Sequence, residues 1–251
     1  MSRFSAVPSR RLVLGAGLAL TAGAGLTLAG CGGGAKTAEA LPAPEFLMRG
    51  HGLLRRITSL FREAAPGVRV NPGALDMQAL GQATDLFRVF GEDFQEKKLE
   101  EAIVFPAVKK AGGEAGDLVP TLIEQHERGR QLIAAIHAHS QKTISPIDVE
   151  PLARALESMA RMYDEHTAVE ETVVFPAWRK TLKADELRDA AEQFAKIDQA
   201  QFKGGGFEKA LAEVKQIEQR MGLVNLRLFT ASPPASDAVA PVKTVNGATT
   251  E

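Results

Sequence analysis

Two stretches of this chain are near-copies of one another. Residues Glu96–Ala107 and His166–Ala177 align at a constant offset of seventy, which pairs Glu100 with Glu170, Glu101 with Glu171, Phe105 with Phe175 and Pro106 with Pro176. An echo lies upstream of each copy, where Leu47–His51 sits against Leu122–His126. Each copy is a unit that cannot bury its own apolar face, so the two must pack together. Residues at equivalent positions are then expected to face each other across a common core.

The units are helical. Strand patterns are absent, and apolar residues recur at spacings of three and four. Phe46, Leu47, Leu54, Ile57 and Phe61 mark a first helix, closed by Pro66-Gly67. Leu80, Phe87, Phe90, Phe94, Ile103 and Val104 mark a longer second one, and Leu118, Leu122, Ile123, Leu132, Ile133 and Ile136 a third. Leu152, Leu156, Met159, Tyr163, Val169 and Val173 mark a fourth, opened by Ser145-Pro146. Two shorter helices follow, at about residues 184–202 and 207–221, split by Gly204-Gly205-Gly206. Four long helices with short joins predict an all-α fold, an antiparallel up-down four-helix bundle with two additional short C-terminal helices. Phe105-Pro106 and Phe175-Pro176 are expected to pack in the core and to kink or stop their helices.

The ends differ from the middle. Arg10-Arg11 precedes an uncharged run from Leu12 to Ala29, which ends in Leu28-Ala29-Gly30-Cys31. A basic start, a short apolar stretch and small residues before a cleavage point make a secretory signal. The ending resembles the lipobox of bacterial lipoproteins, which implies lipidation of Cys31 and anchoring on the extracytoplasmic side of the cell membrane or the outer membrane. A membrane-spanning helix with an incidental cysteine is the alternative, but a span calls for roughly twenty strongly apolar residues. Ser9-Arg10-Arg11 also resembles a twin-arginine export signal, with an ordinary secretory signal as the other reading. Cys31 is the only cysteine, so no internal disulfide forms. The expected organisation is a signal peptide at 1–31, a flexible tether at 32–44, a metal-binding bundle at 45–229 and a disordered tail at 230–251. The formal net charge of −1, with no basic excess, argues against a nucleic-acid partner.

Polar residues on the apolar faces carry the chemistry. His51 lies between Leu47 and Leu54, His126 between Leu122 and Ile133, and His166 and Glu170 are one turn apart on a single face. Glu96 and Glu100 are their repeat equivalents. Gln95 is set aside on helical phase, because five α-helical steps turn it about 140° away from Glu100. The inward set is thus three histidines and three carboxylates on four helices. Each buried carboxylate without compensation costs several kcal/mol, against a total stability of about 5–15 kcal/mol. Divalent cations remove that cost, and mixed imidazole and carboxylate donors suit iron, manganese or zinc rather than calcium.

The His51-Gly52 helix, the Glu100-Glu101 and Phe105-Pro106 block, the Gln125-His126 helix, and His166 with Glu170 before Phe175-Pro176 together resemble a hemerythrin-like, HHE cation-binding domain. The resemblance implies a non-haem centre of two irons that meets dioxygen, hydrogen peroxide or nitric oxide. It makes His51, His126 and His166 terminal ligands, and Glu100 and Glu170 bridging ones. Glu96 stands where the family usually has His, and Arg130 where oxygen-carrying members have a second one. The greater carboxylate share favours oxidised metal, hence reaction with oxygen or peroxide over reversible carriage. An iron-binding, storage or metal-sensing module without catalysis is the alternative. Glu96 otherwise reads as a solvated helix residue, and Tyr163 as either a donor to a bound oxygen species or a core tyrosine. Arg130 reads as a residue closing the site by pairing with Glu96 or Glu101, or as a surface residue. Glu101 and Glu171, one step off the metal face, are expected to be surface residues or to orient a histidine from outside it, and His137 and His139 to be exposed.

Overall fold

The computed structural model describes residues 41–233. Cys31, the signal segment and all but the first residues of the C-terminal tail lie outside them. Among the described residues every regular element is helical, and no helix is long and apolar enough to cross a membrane.

Four rods form the bundle. The first is α1 (Ala43–Val70). The second begins as α2 (Met77–Leu86), widens into a π-helical stretch (Phe87–Val104) and finishes as α3 (Phe105–Ala111). The third is α4 (Gly113–Ser140). The fourth is α5 (Pro146–Val169), a π turn (Glu170–Val174) and α6 (Phe175–Lys180). Helix α1 packs chiefly on α5, α5 on α4, and α4 on α2. Two further helices, α7 (Ala184–Phe202) and α8 (Gly206–Arg220), lie across this bundle, α8 on α1 and α2 and α7 on α1 and the π stretch.

Local chemistry sets the ends. Asp76 caps α2 by accepting the Ala79 N–H at 2.9 Å, and Ser145 opens α5, its own N–H donating to Asp148 at 3.1 Å. The turn between α3 and α4 needs Gly112 and Gly113, whose φ angles of 75° and 71° strain any residue with a Cβ. Pro66 does not end the first helix, which continues to Val70. Ala65 and Val68 on either side are fully buried, so tertiary packing holds the last turn that the proline's missing N–H weakens. The helix also starts two residues before the expected boundary, with Ala43 buried in its first turn.

The largest side chains of the core are aromatic. Phe61, Phe87, Phe90, Phe94, Phe105, Phe175, Phe194 and Trp178 are all buried within it, each stabilising the fold by about 1.5–3 kcal/mol for its apolar surface. Phe194 of α7 stacks on Trp178 of α6 with ring centroids 5.8 Å apart, which ties the outer helix to the end of the fourth rod.

Candidate metal centre

Both Phe-Pro blocks do something other than stop a helix. A proline at 106 has no N–H to give and its ring clashes with the carbonyl four residues back. The helix widens instead, and the Phe105 N–H bonds the Glu100 carbonyl five residues back. In the second copy the Phe175 N–H bonds the Glu170 carbonyl in the same way. Five-residue turns of this kind mark functional positions in helices, and here the carbonyl that each one bonds belongs to a fully buried glutamate.

Around these two glutamates three imidazoles converge. The His51 Nε2 lies 3.0 Å from Glu100 Oε1 and 3.3 Å from Glu170 Oε2. The His126 Nε2 is 3.4 Å from Glu100 Oε2, and the His166 Nε2 is 3.2 Å from Glu170 Oε2. The Nε2 atoms of His126 and His166 are only 3.1 Å apart. One ligand atom from each of Glu100, His126, His166 and Glu170 falls within 4.8 Å of all the others.

Every Nδ1 faces outward onto an oxygen. His51 meets Glu171 at 3.2 Å, His126 meets Glu101 at 2.8 Å, and His166 meets Gln125 at 3.0 Å. These contacts orient the rings and direct Nε2 at the centre. The two charged ones are themselves clamped. Arg55 donates to both oxygens of Glu171, at 2.8 and 3.2 Å, and Arg130 donates to Glu101, to Glu96 at 3.3 Å and to Glu127 at 2.7 Å. Arg55 follows His51 by four residues as Arg130 follows His126, so the two Arg–Glu–His chains obey the repeat. Aromatic rings complete the walls: Phe105 stacks on His126 at 5.5 Å, Phe175 lies 5.2 Å from His51, and Tyr163 stacks on His166 at 5.8 Å.

The electrostatics are those of crowded charge in a dry place. Burial alone would lower the pKa of His51, but Glu100, Glu170 and Glu171 outweigh it and raise it well above the ordinary value. His126 is raised the same way, against burial, by Glu96, Glu100 and Glu101. Burial pushes Glu96 up to about 8, with Glu100 adding to it and His126 and Arg130 opposing. Burial would also raise Glu101 and Glu170, yet both are lowered: Glu101 to about 2 by its hydrogen bonds from His126 and Arg130, and Glu170 by His166 and His51. Tyr163, buried beside Glu100, Glu96 and Glu170, holds its proton well above the usual phenol range.

The residues fit a cation. Glu100 Oε2 and both oxygens of Glu170 are buried with no hydrogen-bond partner, a costly state for carboxylates. Two Nε2 atoms at 3.1 Å, with their Nδ1 atoms already hydrogen-bonded to oxygen, repel unless a proton or a metal ion lies between them. Mixed nitrogen and oxygen donors of this kind suit divalent transition ions.

Of the positions expected from sequence, His51, Glu100, His126, His166 and Glu170 come together. Glu96 is buried, and offers an oxygen within 4.8 Å of donor atoms of His126 and Glu101. Arg130 pairs with Glu96 and Glu101 together rather than with one of them, and Tyr163 is a core residue walling His166. Gln95 corrects the phase argument. In the π stretch residues five apart share a face, and Gln95 Nε2 donates to Glu100 Oε1 at 2.7 Å. Gln95 and Arg55 were the residues that α-helical phase and residue type passed over. The repeat pairs Arg55 with Arg130, and Pro106 gives notice that the phase upstream is not α-helical. His137 and His139 are half-buried rather than exposed, His137 3.0 Å from Thr84 Oγ1 and His139 3.7 Å from Asp148.

An antiparallel helical bundle with inward imidazoles and carboxylates on all four rods defines a cation-binding bundle protein. The family comparison makes that specific: the hemerythrin HHE cation binding domain matches residues 43–178 and 117–222, and the chain belongs to this family. Its relatives include uncharacterized proteins of Mycobacterium bovis and Mycobacterium tuberculosis, each 36% identical over 194 residues, covering 76% of this chain and 74% of theirs. No solved structure matches the chain.

Proposed function

We propose that the chain is a non-haem di-iron protein of the cell envelope that reacts with or senses dioxygen, hydrogen peroxide or nitric oxide. The observation carrying this reading is the convergence of three Nε2 atoms on Glu100 and Glu170, where Glu100 Oε2 and both oxygens of Glu170 are buried without a hydrogen-bond partner. His51, His126, His166, Glu100 and Glu170 hold the metal pair, with Glu96 at the His126 edge. Bound there, iron supplies electron transfer to small oxygen and nitrogen species. The chain does the rest. Glu171 and Glu101 hold the Nδ1 protons of His51 and His126, Gln125 holds that of His166, and Phe105, Phe175 and Tyr163 keep bulk water out. The hydroxyl of Tyr163, the chain's single tyrosine, stays protonated in this environment and can donate a hydrogen bond. A carboxylate-rich donor set supports the oxidised metal, which favours oxidase or peroxidase chemistry over reversible carriage.

Anchoring follows from the Leu28-Ala29-Gly30-Cys31 ending. Cys31→Ser is expected to move the protein from the membrane fraction to the soluble one, and retention at the membrane would contradict lipidation at that residue. The redox reading is tested by loading the full-length protein with Fe2+ without air and adding dioxygen, peroxide or nitric oxide in turn. A change in near-ultraviolet and visible absorption with at least one of them is expected. No change with any would leave an iron-binding or metal-sensing module.

A further inference from the structure

The centre is lopsided at Glu100. Its Oε2 has no hydrogen-bond partner and lies on the His126 side, 3.4 Å from that Nε2. Its Oε1 lies on the His51 side and is already engaged, because the Gln95 amide donates to it at 2.7 Å while the His51 Nε2 stands 3.0 Å away. Gln95 is held in place. It is fully buried and its Nε2 also donates to the Leu47 carbonyl at 3.3 Å. Its Oε1 packs over Gly50, where a Cβ would stand only 2.3 Å away. The helix before His51 is thus glycine at the one point where the amide needs room.

The donors are divided just as unevenly. His126 and His166 stand together with Glu100 and Glu170 inside one 4.8 Å group, and Glu96 reaches His126 from the other side. His51 has only the two shared glutamates and an amide. A neutral amide is a poorer partner for a divalent ion than an imidazole or a carboxylate, and its N–H competes for the oxygen lone pair such an ion would use.

Resting on the cation-binding reading above, the geometry points to two unequal cation positions: a tight one at His126, His166, Glu100 and Glu170, and a weak one at His51 that Gln95 holds weak. Gln95 is therefore the residue that sets whether the chain carries one ion or two at limiting metal.

The test is titration of the metal-free full-length protein with Co2+, following ligand-field absorption and counting bound ions by native mass spectrometry. The wild type should take one ion tightly and a second on the order of tenfold or more weakly. Gln95→His should bring the second ion within a few fold of the first without moving the first. Gln95→Ala, which frees Glu100 Oε1 without adding a ligand, should also tighten the second ion, and it serves if circular dichroism shows the histidine variant unfolded. Two ions of equal affinity in the wild type, or a gap unchanged in the folded variants, would overturn the inference. Failure of the wild type to bind Co2+ at all would instead refute the cation-binding reading of these residues.

Discussion

His51 and His126 carry the pH dependence of this protein. In the metal-free fold both sit above the ordinary histidine value, because their carboxylate partners outweigh burial. A raised folded pKa adds stability that is complete below the unfolded value of about 6.5 and is lost as the pH climbs through the folded one. Glu96 acts in the same direction: it stays protonated in the fold up to about 8, while the unfolded chain ionises near 4.3. Glu101 and Glu171, both lowered, are ionised folded and unfolded alike above pH 6 and do not contribute there. The melting temperature of the metal-free protein should therefore fall as the pH rises from 6 to 8. The stabilisation given by added Co2+ or Fe2+ should grow over the same range, since the ion displaces these protons. Scanning calorimetry across that range checks both, and a metal-free melting temperature that rises with pH would contradict the electrostatics.

At the scale of the element the two π turns are the devices that place Glu100 and Glu170. Restoring an N–H with Pro106→Ala lets the second rod return to four-residue hydrogen bonding, which rotates Gln95 and Glu96 relative to Glu100. The expected result is an equal or higher melting temperature with metal affinity lowered on the order of tenfold, read by Co2+ titration. Unchanged affinity would mean that the widened turn does not position the ligands. The same turns mark where the centre could be read from the sequence and where it could not. His51, His126 and His166 lie in plain α-helix and Glu170 is the first residue of its π turn, one α-helical turn after His166, so a period of 3.6 predicts their direction. Gln95 lies within the π stretch, where that period fails, and Arg55 becomes legible only once Arg130 is seen bonding Glu101. Pro66 misled for a related reason: local backbone chemistry says stop, while buried Val68 says continue, and packing decides.

For the whole molecule, the four rods follow from apolar periodicity, while the docking of α7 and α8 does not, since neither belongs to the repeat. The hold of α7 on the bundle is aromatic. Phe194→Ala, at a fully buried position, should cost about 3–5 kcal/mol and loosen α7 from the fourth rod. Trp178 is the chain's only tryptophan and stacks on that ring, so its emission should shift to the red in the variant. Emission and stability both unchanged would show that α7 is not anchored there.

The account as a whole depends on whether the converging histidines and glutamates hold a metal ion. The most direct measurement is the metal content of full-length protein purified without air, wild type beside the His166→Ala, Glu170→Ala double variant. The wild type should retain at least about one iron per chain after desalting, and the variant, still helical by circular dichroism, essentially none. Equal metal content in the two would contradict the assignment of the centre.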